Sequence, residues 1–173
     1  MMHIPFSNSI LDYLVQKTYD AMPQNARLNT SVQPVGSATP SPLRSFIAHL
    51  SRRVNIPILT WMSATVYVDR LKPKLGSIRK LLRCTAHRVF LSILIITAKY
   101  LDDSYPINDD WEKHSYMKFN HRHFWLALKD INLIELEMLS LLDWNLAISE
   151  LDVYQRSEPF FSSVVTTSRA KTS

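Results

Sequence analysis

The chain has 173 residues and a hydrophobic content of 46%, which is enough for one domain plus tails. It contains only 2 glycines, although all-β folds and phosphate-binding loops need glycine wherever φ is positive. This scarcity predicts an all-α domain and argues against a nucleotide-binding enzyme. The single cysteine, Cys84, excludes an internal disulfide and fits a reducing intracellular compartment, nucleus or cytoplasm. The first residues lack the basic start and apolar centre of a signal peptide.

The net charge of +5 is unevenly distributed along the chain. Between Ala21 and Leu101 the only acid is Asp69, among many Lys and Arg residues, whereas acids outnumber Lys and Arg from Asp102 onward. The first half is therefore expected to present a positive face. Such a face can meet phosphates or an acidic protein surface, and composition does not decide between them.

The first predicted element is an accessory helix over Ser9 to Met22, with Ser9 as its N-cap and apolar residues at helical spacing. Residues 23–40 are rich in Pro, Asn, Ser and Thr without periodicity, which indicates a linker. Ser41 followed by Pro42 is a good helix start, because proline is favoured at the first helical position.

Two further helices follow the linker. The first carries a core-type stripe of Leu43, Phe46, Ile47 and Leu50. The second is predicted to begin near Pro57 and to stop before Pro73, because proline inside a helix removes a hydrogen bond.

The stretch from Cys84 to Asp103 is apolar on every face of a helix, with one lysine, Lys99, near its end. The pattern is too long for an ordinary strand and shorter than the ~18 residues that a membrane span requires. A helix that is apolar all round must be enclosed by other helices. This segment is therefore predicted to be the centre of the fold, and no membrane association is expected.

The rest of the chain is less regular at first. Trp111 to Lys129 is aromatic and rich in histidine, with poor periodicity. Asp130 is predicted to cap a further helix that is ended by the segment up to Leu146. The segment from Ser149 to Asp152 has the pattern of a helix start, which predicts one more short helix that Pro159 ends. Residues 159–173 are rich in Ser and Thr and indicate a flexible tail.

Three ordered motifs resemble the cyclin box. They are Val66-Tyr-Val-Asp-Arg70, then His87-Arg-Val-Phe-Leu91 with Ala98-Lys-Tyr-Leu-Asp-Asp103, and finally Ile134-Glu-Leu-Glu-Met-Leu-Ser-Leu-Leu-Asp-Trp144. Cys84-Thr-Ala-His-Arg88 and Asp103-Ser-Tyr-Pro-Ile-Asn-Asp-Asp-Trp111 are more narrowly similar to fungal PCL-type cyclins, the partners of the phosphate-signalling cyclin-dependent kinase.

The resemblance covers roughly residues 41–158 and implies an all-α, single cyclin box of five helices, with an extra N-terminal helix over 1–22 and a short C-terminal helix. No second cyclin-like repeat follows Trp144. The implied function is a non-enzymatic regulatory subunit without a cofactor. It would bind and activate a cyclin-dependent protein kinase and help to direct its choice of substrates.

The family also implies roles for particular residues. Lys99 and Glu135 match the lysine and glutamate with which cyclins contact the αC helix of the kinase. Arg44 and Asp69 match a structural ion pair. The substrate-docking patch of some cyclins would fall on Leu43, Ile47 and Leu50, although these are also core-type positions.

Two other interpretations remain open at this stage. The cations from Arg70 to Arg88, including Lys72, Lys74, Arg79, Lys80 and Arg83, could bind nucleic acid, since cyclin-like folds also occur in transcription factors. A solvated loop that meets an acidic protein surface is favoured, because no aromatic residues are interleaved with the charges. A zinc site through Cys84 and His87 is disfavoured, because three or four converging ligands would be needed.

Overall fold

The computed structural model describes residues 6–23, 42–75, 86–104, 106–119 and 122–158. Within these ranges seven helices and one hairpin follow one another. The helices are α1 (Asn8–Ala21), α2 (Pro42–Arg53), α3 (Ile58–Leu75), α4 (Ala86–Leu101), α5 (Asn108–Ser115), α6 (Leu128–Leu141) and α7 (150–158). The strands are β1 (Met117–Phe119) and β2 (Arg122–Phe124), between α5 and α6. The predicted linker, the Ser41 cap, Cys84 and the predicted tail lie outside the described residues.

Helix α4 is the centre of the fold, as its sequence predicts. From Ala86 to Ala98 every side chain except that of Arg88 is buried, and exposure begins at Lys99. Helices α3 and α6 make the largest contacts with α4, and α1 and α2 complete the enclosure. Among the described helices, none combines the length and the apolar character that crossing a bilayer requires.

Helix α1 contributes to the same core as the later helices. Its Ile10, Leu11 and Leu14 are buried, and it packs mainly on α3. The predicted cap at Ser9 is wrong: Ser7 is the N-cap, and its hydroxyl accepts a hydrogen bond from the backbone N–H of Ile10 at 3.3 Å. The helix therefore begins two residues earlier than a start after Ser9 would place it.

Helix α3 continues through Pro73 to Leu75, so the prediction that it stops before Pro73 is wrong. Proline there removes the hydrogen bond that its N–H would give to the carbonyl of Asp69, four residues back. Leu71 and Leu75 are fully buried in this last part of the helix. Their burial, worth about 2 kcal/mol each, offsets the roughly 3 kcal/mol that an interior proline costs.

The segment without clear periodicity forms α5 and the hairpin. Met117 pairs with Phe124 and Lys118 with His123 in antiparallel register. Three-residue strands are too short to produce a recognisable alternation in the sequence. The hairpin packs on α2, because Phe124 lies with its ring centroid 5.0 Å from that of Phe46.

Helix α6 begins at Leu128, after the N-cap position of Ala127, so Asp130 lies in its first turn and is not its cap. The helix ends where Asp143 and Trp144 take positive φ values of 53° and 57°. Residues after this end are held by α3, because the hydroxyl of Tyr67 donates to the carbonyl of Leu146 at 2.7 Å. The guanidinium of Arg70 donates to two further carbonyls of the same segment.

The predicted start of the last helix at Ser149 is confirmed by a reciprocal cap. The Ser149 hydroxyl accepts from the backbone N–H of Asp152 at 3.1 Å, while the Asp152 carboxylate accepts from the backbone N–H of Ser149 at 3.2 Å. This capping box satisfies two backbone donors that the helix start leaves free.

His87 is a core residue near the start of α4. Its ring lies 4.8 Å from Phe124 and 5.4 Å from Phe46, and within the described part of the chain its Nδ1 has no hydrogen-bond partner. Burial lowers the pKa of His87 from 6.5 to about 4. The folded protein therefore holds this imidazole neutral, because a proton would place an unpaired charge in the core.

Acid should destabilise the protein through His87. In the unfolded chain His87 takes up a proton near pH 6.5, but in the folded chain only near pH 4. The contribution of the neutral imidazole to the free energy of unfolding is therefore fully present above pH 6.5 and is lost as the pH drops from 6.5 to 4. The full loss for this one group is roughly 3 kcal/mol. Urea unfolding between pH 7 and pH 4 measures it. His87→Leu should show a clearly smaller loss over the same range, and an equal loss in the two proteins would contradict the assignment.

Candidate functional site

The site predicted from Lys99 and Glu135 is assembled in the structure. Lys99 at the end of α4 donates from Nζ to Oε1 of Glu135, in the middle of α6, at 2.7 Å. The side chain of Glu135 is 13% exposed and that of Lys99 is 39% exposed. Two residues separated by 36 positions in sequence therefore form one polar cluster at the rim of the core.

Asn108 is the third member of this cluster. Its Nδ2 donates to Oε2 of Glu135 at 2.6 Å and to Oδ1 of Asn132 at 2.7 Å. Both Glu135 oxygens are thus occupied, one by a cation and one by an amide. Asn108 was not among the site residues predicted from the sequence, although it lies in the Asp103–Trp111 motif that resembles fungal PCL-type cyclins.

The loop between α4 and α5 places Asn108 beside Glu135. Trp111 is fully buried, and its indole N–H donates to the carbonyl of Pro106 at 3.1 Å, which fixes the entry to α5. At the other end of the loop the carboxylate of Asp102 accepts from the backbone N–H of Ser104 at 2.8 Å. Hydrogen bonds with the Ser104 side chain and with this backbone N–H lower the pKa of Asp102.

Large apolar side chains are exposed next to the polar cluster. Each is close in sequence to a member of it, and each is about half exposed or more: Tyr100, Leu101, Ile107, Leu133 and Leu136. An aliphatic and aromatic surface around a lysine and a carboxylate is typical of a protein-binding face and not of a solvated helix end.

Within the described residues no group of three or more His, Cys, Asp or Glu side chains could hold a metal ion. Cys84 lies outside these residues. His87, the other candidate zinc ligand, is enclosed by aromatic rings in the core.

The predicted ion pair between Arg44 and Asp69 is wrong, because the structure gives each residue other partners. Arg44 donates to Asp12 at 2.7 Å and to Asn8 at 3.2 Å, both on α1. Asp69 accepts from Lys17 at 2.9 Å and from Arg156 at 3.2 Å. The reason is the position of α1: it packs beside α2 and α3 and supplies the charges that meet these two residues.

Asp69 consequently joins three helices. Lys17 comes from α1, Asp69 from α3 and Arg156 from α7. The three side chains are between 21% and 33% exposed, so solvent screens the charges only in part.

The predicted docking patch is also wrong as a docking surface. Leu43, Ile47 and Leu50 each have 0% exposure. They belong to the core beneath α1, α4 and the hairpin segment, so no partner can reach them. Of the two roles that the sequence allowed for these positions, the structure selects the core role.

Most of the cations of the basic region that the structure describes are engaged within the protein. Arg70 donates to the carbonyls of Asn145 and Ala147, and Lys74 contacts the carbonyl of Leu141 and the carboxylate of Asp143. Lys72 is exposed, while Arg79, Lys80 and Arg83 lie outside the described residues. The described cations of this region therefore do not form a free patch, and nothing in their arrangement favours nucleic-acid binding.

The geometry agrees with what comparison with known proteins reveals. A family model described as "Cyclin, N-terminal domain" matches residues 9–147, which include α1. The chain belongs to the cyclin family, and the all-α cyclin fold predicted from its motifs is confirmed.

Within that family the chain is similar to three proteins of Saccharomyces cerevisiae. It is 30% identical to PHO85 cyclin-1 over 167 residues, covering 92% of this chain and 56% of the relative. It is 30% identical to PHO85 cyclin-2 over 159 residues, which cover 91% of this chain and 48% of the relative. It is 28% identical to PHO85 cyclin-9 over 149 residues, which cover 86% of this chain and 45% of the relative. The chain thus spans about half the length of these relatives. No solved structure matches it significantly.

Removing the carboxylate of Asp69 should destabilise the contacts among α1, α3 and α7. Asp69→Ala leaves Lys17 and Arg156 without their shared anion, and we expect the free energy of unfolding to fall by about 1 kcal/mol. Urea unfolding at neutral pH measures it. Asp12→Ala is the matched control, because the Asp12 side chain is 60% exposed in its pair with Arg44 and its removal should cost clearly less. Equal losses in the two variants would contradict the central role of Asp69.

Proposed function

We propose that this chain is a regulatory subunit that binds and activates a cyclin-dependent protein kinase through the face containing Lys99, Glu135 and Asn108. The observation that carries the proposal is the polar cluster itself, set within an exposed apolar surface on a cyclin fold. The kinase keeps ATP binding and phosphoryl transfer, and the chain contributes no chemistry of its own.

Activation follows from selection of one kinase conformation. A protein kinase is active only when the glutamate of its αC helix reaches the lysine of strand β3. A partner that binds αC in its inward position stabilises that state over the inactive one. The effect requires a rigid surface, and here the elements that hold Lys99 and Glu135 are anchored in the core by Ala98, Ile131 and Ile134.

The charged pair can recognise the polar backbone of a partner helix. A lysine donates to carbonyl oxygens, and a carboxylate accepts from N–H groups, so the two side chains can serve both kinds of backbone group. Asn108 and Lys99 fix the orientation of the Glu135 carboxylate before the partner arrives. The surrounding apolar side chains supply contact area, and the polar pair supplies orientation.

The relatives support a particular type of kinase. Their names associate them with PHO85, and we therefore propose a kinase of the phosphate-signalling type as the partner. Such an assembly operates inside the cell, in the nucleus or the cytoplasm. Help in choosing the substrates of the kinase is the second part of the proposed role.

Loss of the charged pair should weaken kinase binding without unfolding the chain. The tagged chain with Lys99→Ala and Glu135→Ala is used to pull down kinase from a fungal lysate, and the kinase is quantified by mass spectrometry and a kinase assay. We expect this double variant to recover at least tenfold less kinase than wild type does. Glu137→Ala is the matched control, since Glu137 is an exposed glutamate on the same helix. Equal kinase recovery by the double variant and wild type would refute the site.

The apolar surface should matter as much as the charges. Leu133→Asp with Leu136→Asp replaces two exposed leucines of α6 by carboxylates that the partner would have to desolvate. We expect at least a tenfold loss of retained kinase at an unchanged melting temperature. Leu151→Asp, an equally exposed leucine on α7, should change kinase recovery by less than twofold. A loss in Leu151→Asp as large as in the α6 variant would place the interface elsewhere.

A further inference from the structure

The hairpin between α5 and α6 has two different faces. Its inner face packs on α2: Met117 is buried, and Phe124 contacts the ring of Phe46. Side chains alternate between the faces of a strand, so the residues next to these in sequence lie on the outer face. Since Met117 pairs with Phe124, the outer face holds the neighbouring cross-strand pair of Lys118 and His123.

Continuing the same register one step further places Tyr116 opposite Trp125 on that outer face. Tyr116 is 46% exposed and Trp125 is 56% exposed. The hydroxyl of Tyr116 lies 2.7 Å from Nδ1 of His123, so the aromatic pair and the polar pair are directly connected. Two exposed aromatic rings beside a lysine and a histidine form a compact surface, which we call the hairpin face: Tyr116, Lys118, His123 and Trp125.

Within the hairpin segment the sequence carries charge of one sign. The sequence contains no Asp or Glu from residue 114 through residue 129, but it contains Lys118, Arg122 and Lys129. Lys118 makes no ion pair with any residue that the structure describes, and the same holds for Arg52 and Arg53 at the end of α2. Lys118 therefore places positive charge on the hairpin face, beside its two exposed aromatic rings.

The end of α2 is close to the hairpin. His49 on α2 lies with its Nε2 at 3.2 Å from the carbonyl of His114, the second residue before Tyr116. Burial lowers the pKa of both histidines, and the charge of Arg53 lowers each further, while the charge of Asp110 opposes this change at His114. The exposed guanidinium groups of Arg52 and Arg53 at the end of α2 thus add positive charge near the start of β1.

We propose that the hairpin face binds an extended acidic segment of a protein substrate, with one apolar side chain of that segment packed between Tyr116 and Trp125. The positive charge favours an acidic segment, and the two exposed aromatic rings provide an apolar surface on which its apolar side chain is buried. This inference rests on the proposed function, because it is the kinase that would phosphorylate the bound substrate.

The hairpin also explains why a docking surface would lie here. It packs over α2, the helix whose Leu43, Ile47 and Leu50 are sealed in the core. The hairpin covers part of α2, and its outer face is exposed there. The hairpin face is formed by the strands and the residues that flank them, whereas Lys99 and Glu135 lie on α4 and α6, so the two surfaces consist of different residues.

A peptide titration tests the hairpin face directly. The probe is a fluorescein-labelled nonapeptide of Glu and Asp with a central leucine, and the reference peptide has Gln and Asn in place of the acids. Fluorescence anisotropy with the full chain should show at least tenfold tighter binding of the acidic peptide at low salt. Trp125→Ala and Lys118→Glu should each weaken that binding at least tenfold.

Matched controls keep the result specific. Trp144→Ala removes an exposed tryptophan from another part of the surface, and Lys72→Glu reverses an exposed lysine on α3. Each should change the affinity for the acidic peptide by less than twofold. Equal binding of the two peptides, or equal losses in the control and hairpin variants at unchanged melting temperatures, would overturn the inference.

A kinase assay separates this inference from the proposed function. Trp125→Ala should recover as much kinase as wild type but raise the KM for a protein substrate with an acidic segment at least fivefold, with kcat unchanged. Reduced kinase recovery by Trp125→Ala would assign the face to the kinase and overturn the inference. If wild type recovers no kinase, the proposed function fails, while the peptide titration still reports on the hairpin face.

Discussion

The fold depends on the need to enclose one helix that is apolar on every side. Helix α4 has no polar face to present to water, so α1, α2, α3 and α6 surround it, and their packing follows from that requirement. The enclosure ends at Lys99, the first exposed residue after a long buried run. The polar cluster with Glu135 lies at this boundary because it is where the core reaches the surface.

Local patterns predicted the parts of the fold that depend on local physics. The apolar run of α4, the helix that became α6 and the helix start at Ser149 are all visible over a few helical turns, and the structure contains each of them. Lys99 and Glu135 could be paired before the structure only through the family resemblance. Periodicity places both on helices but does not say that two helix faces 36 residues apart will meet.

Three of the wrong predictions, those for the Arg44–Asp69 pair, the docking patch and the end of α3, share a physical cause, which is that long-range packing decides them. The predicted partnership of Arg44 with Asp69 failed because α1 inserts its own Asp12 and Lys17 between them as alternative partners. The stripe containing Leu43 is compatible with either a core or a docking surface until one knows that other elements cover it. Pro73 would end an isolated helix, but the burial of Leu75 extends this one.

The contact between Lys99 and Glu135 in the unaccompanied chain has a consequence for recognition. A partner that binds there exchanges an existing ion pair for new hydrogen bonds, so these charges add less affinity than two unpaired charged groups would. The largely buried carboxylate, however, loses solvent and gains nothing if an incoming surface lacks matching donors. The pair therefore contributes to specificity as well as to affinity, because a mismatched protein would have to desolvate the Glu135 carboxylate without replacing its hydrogen bonds.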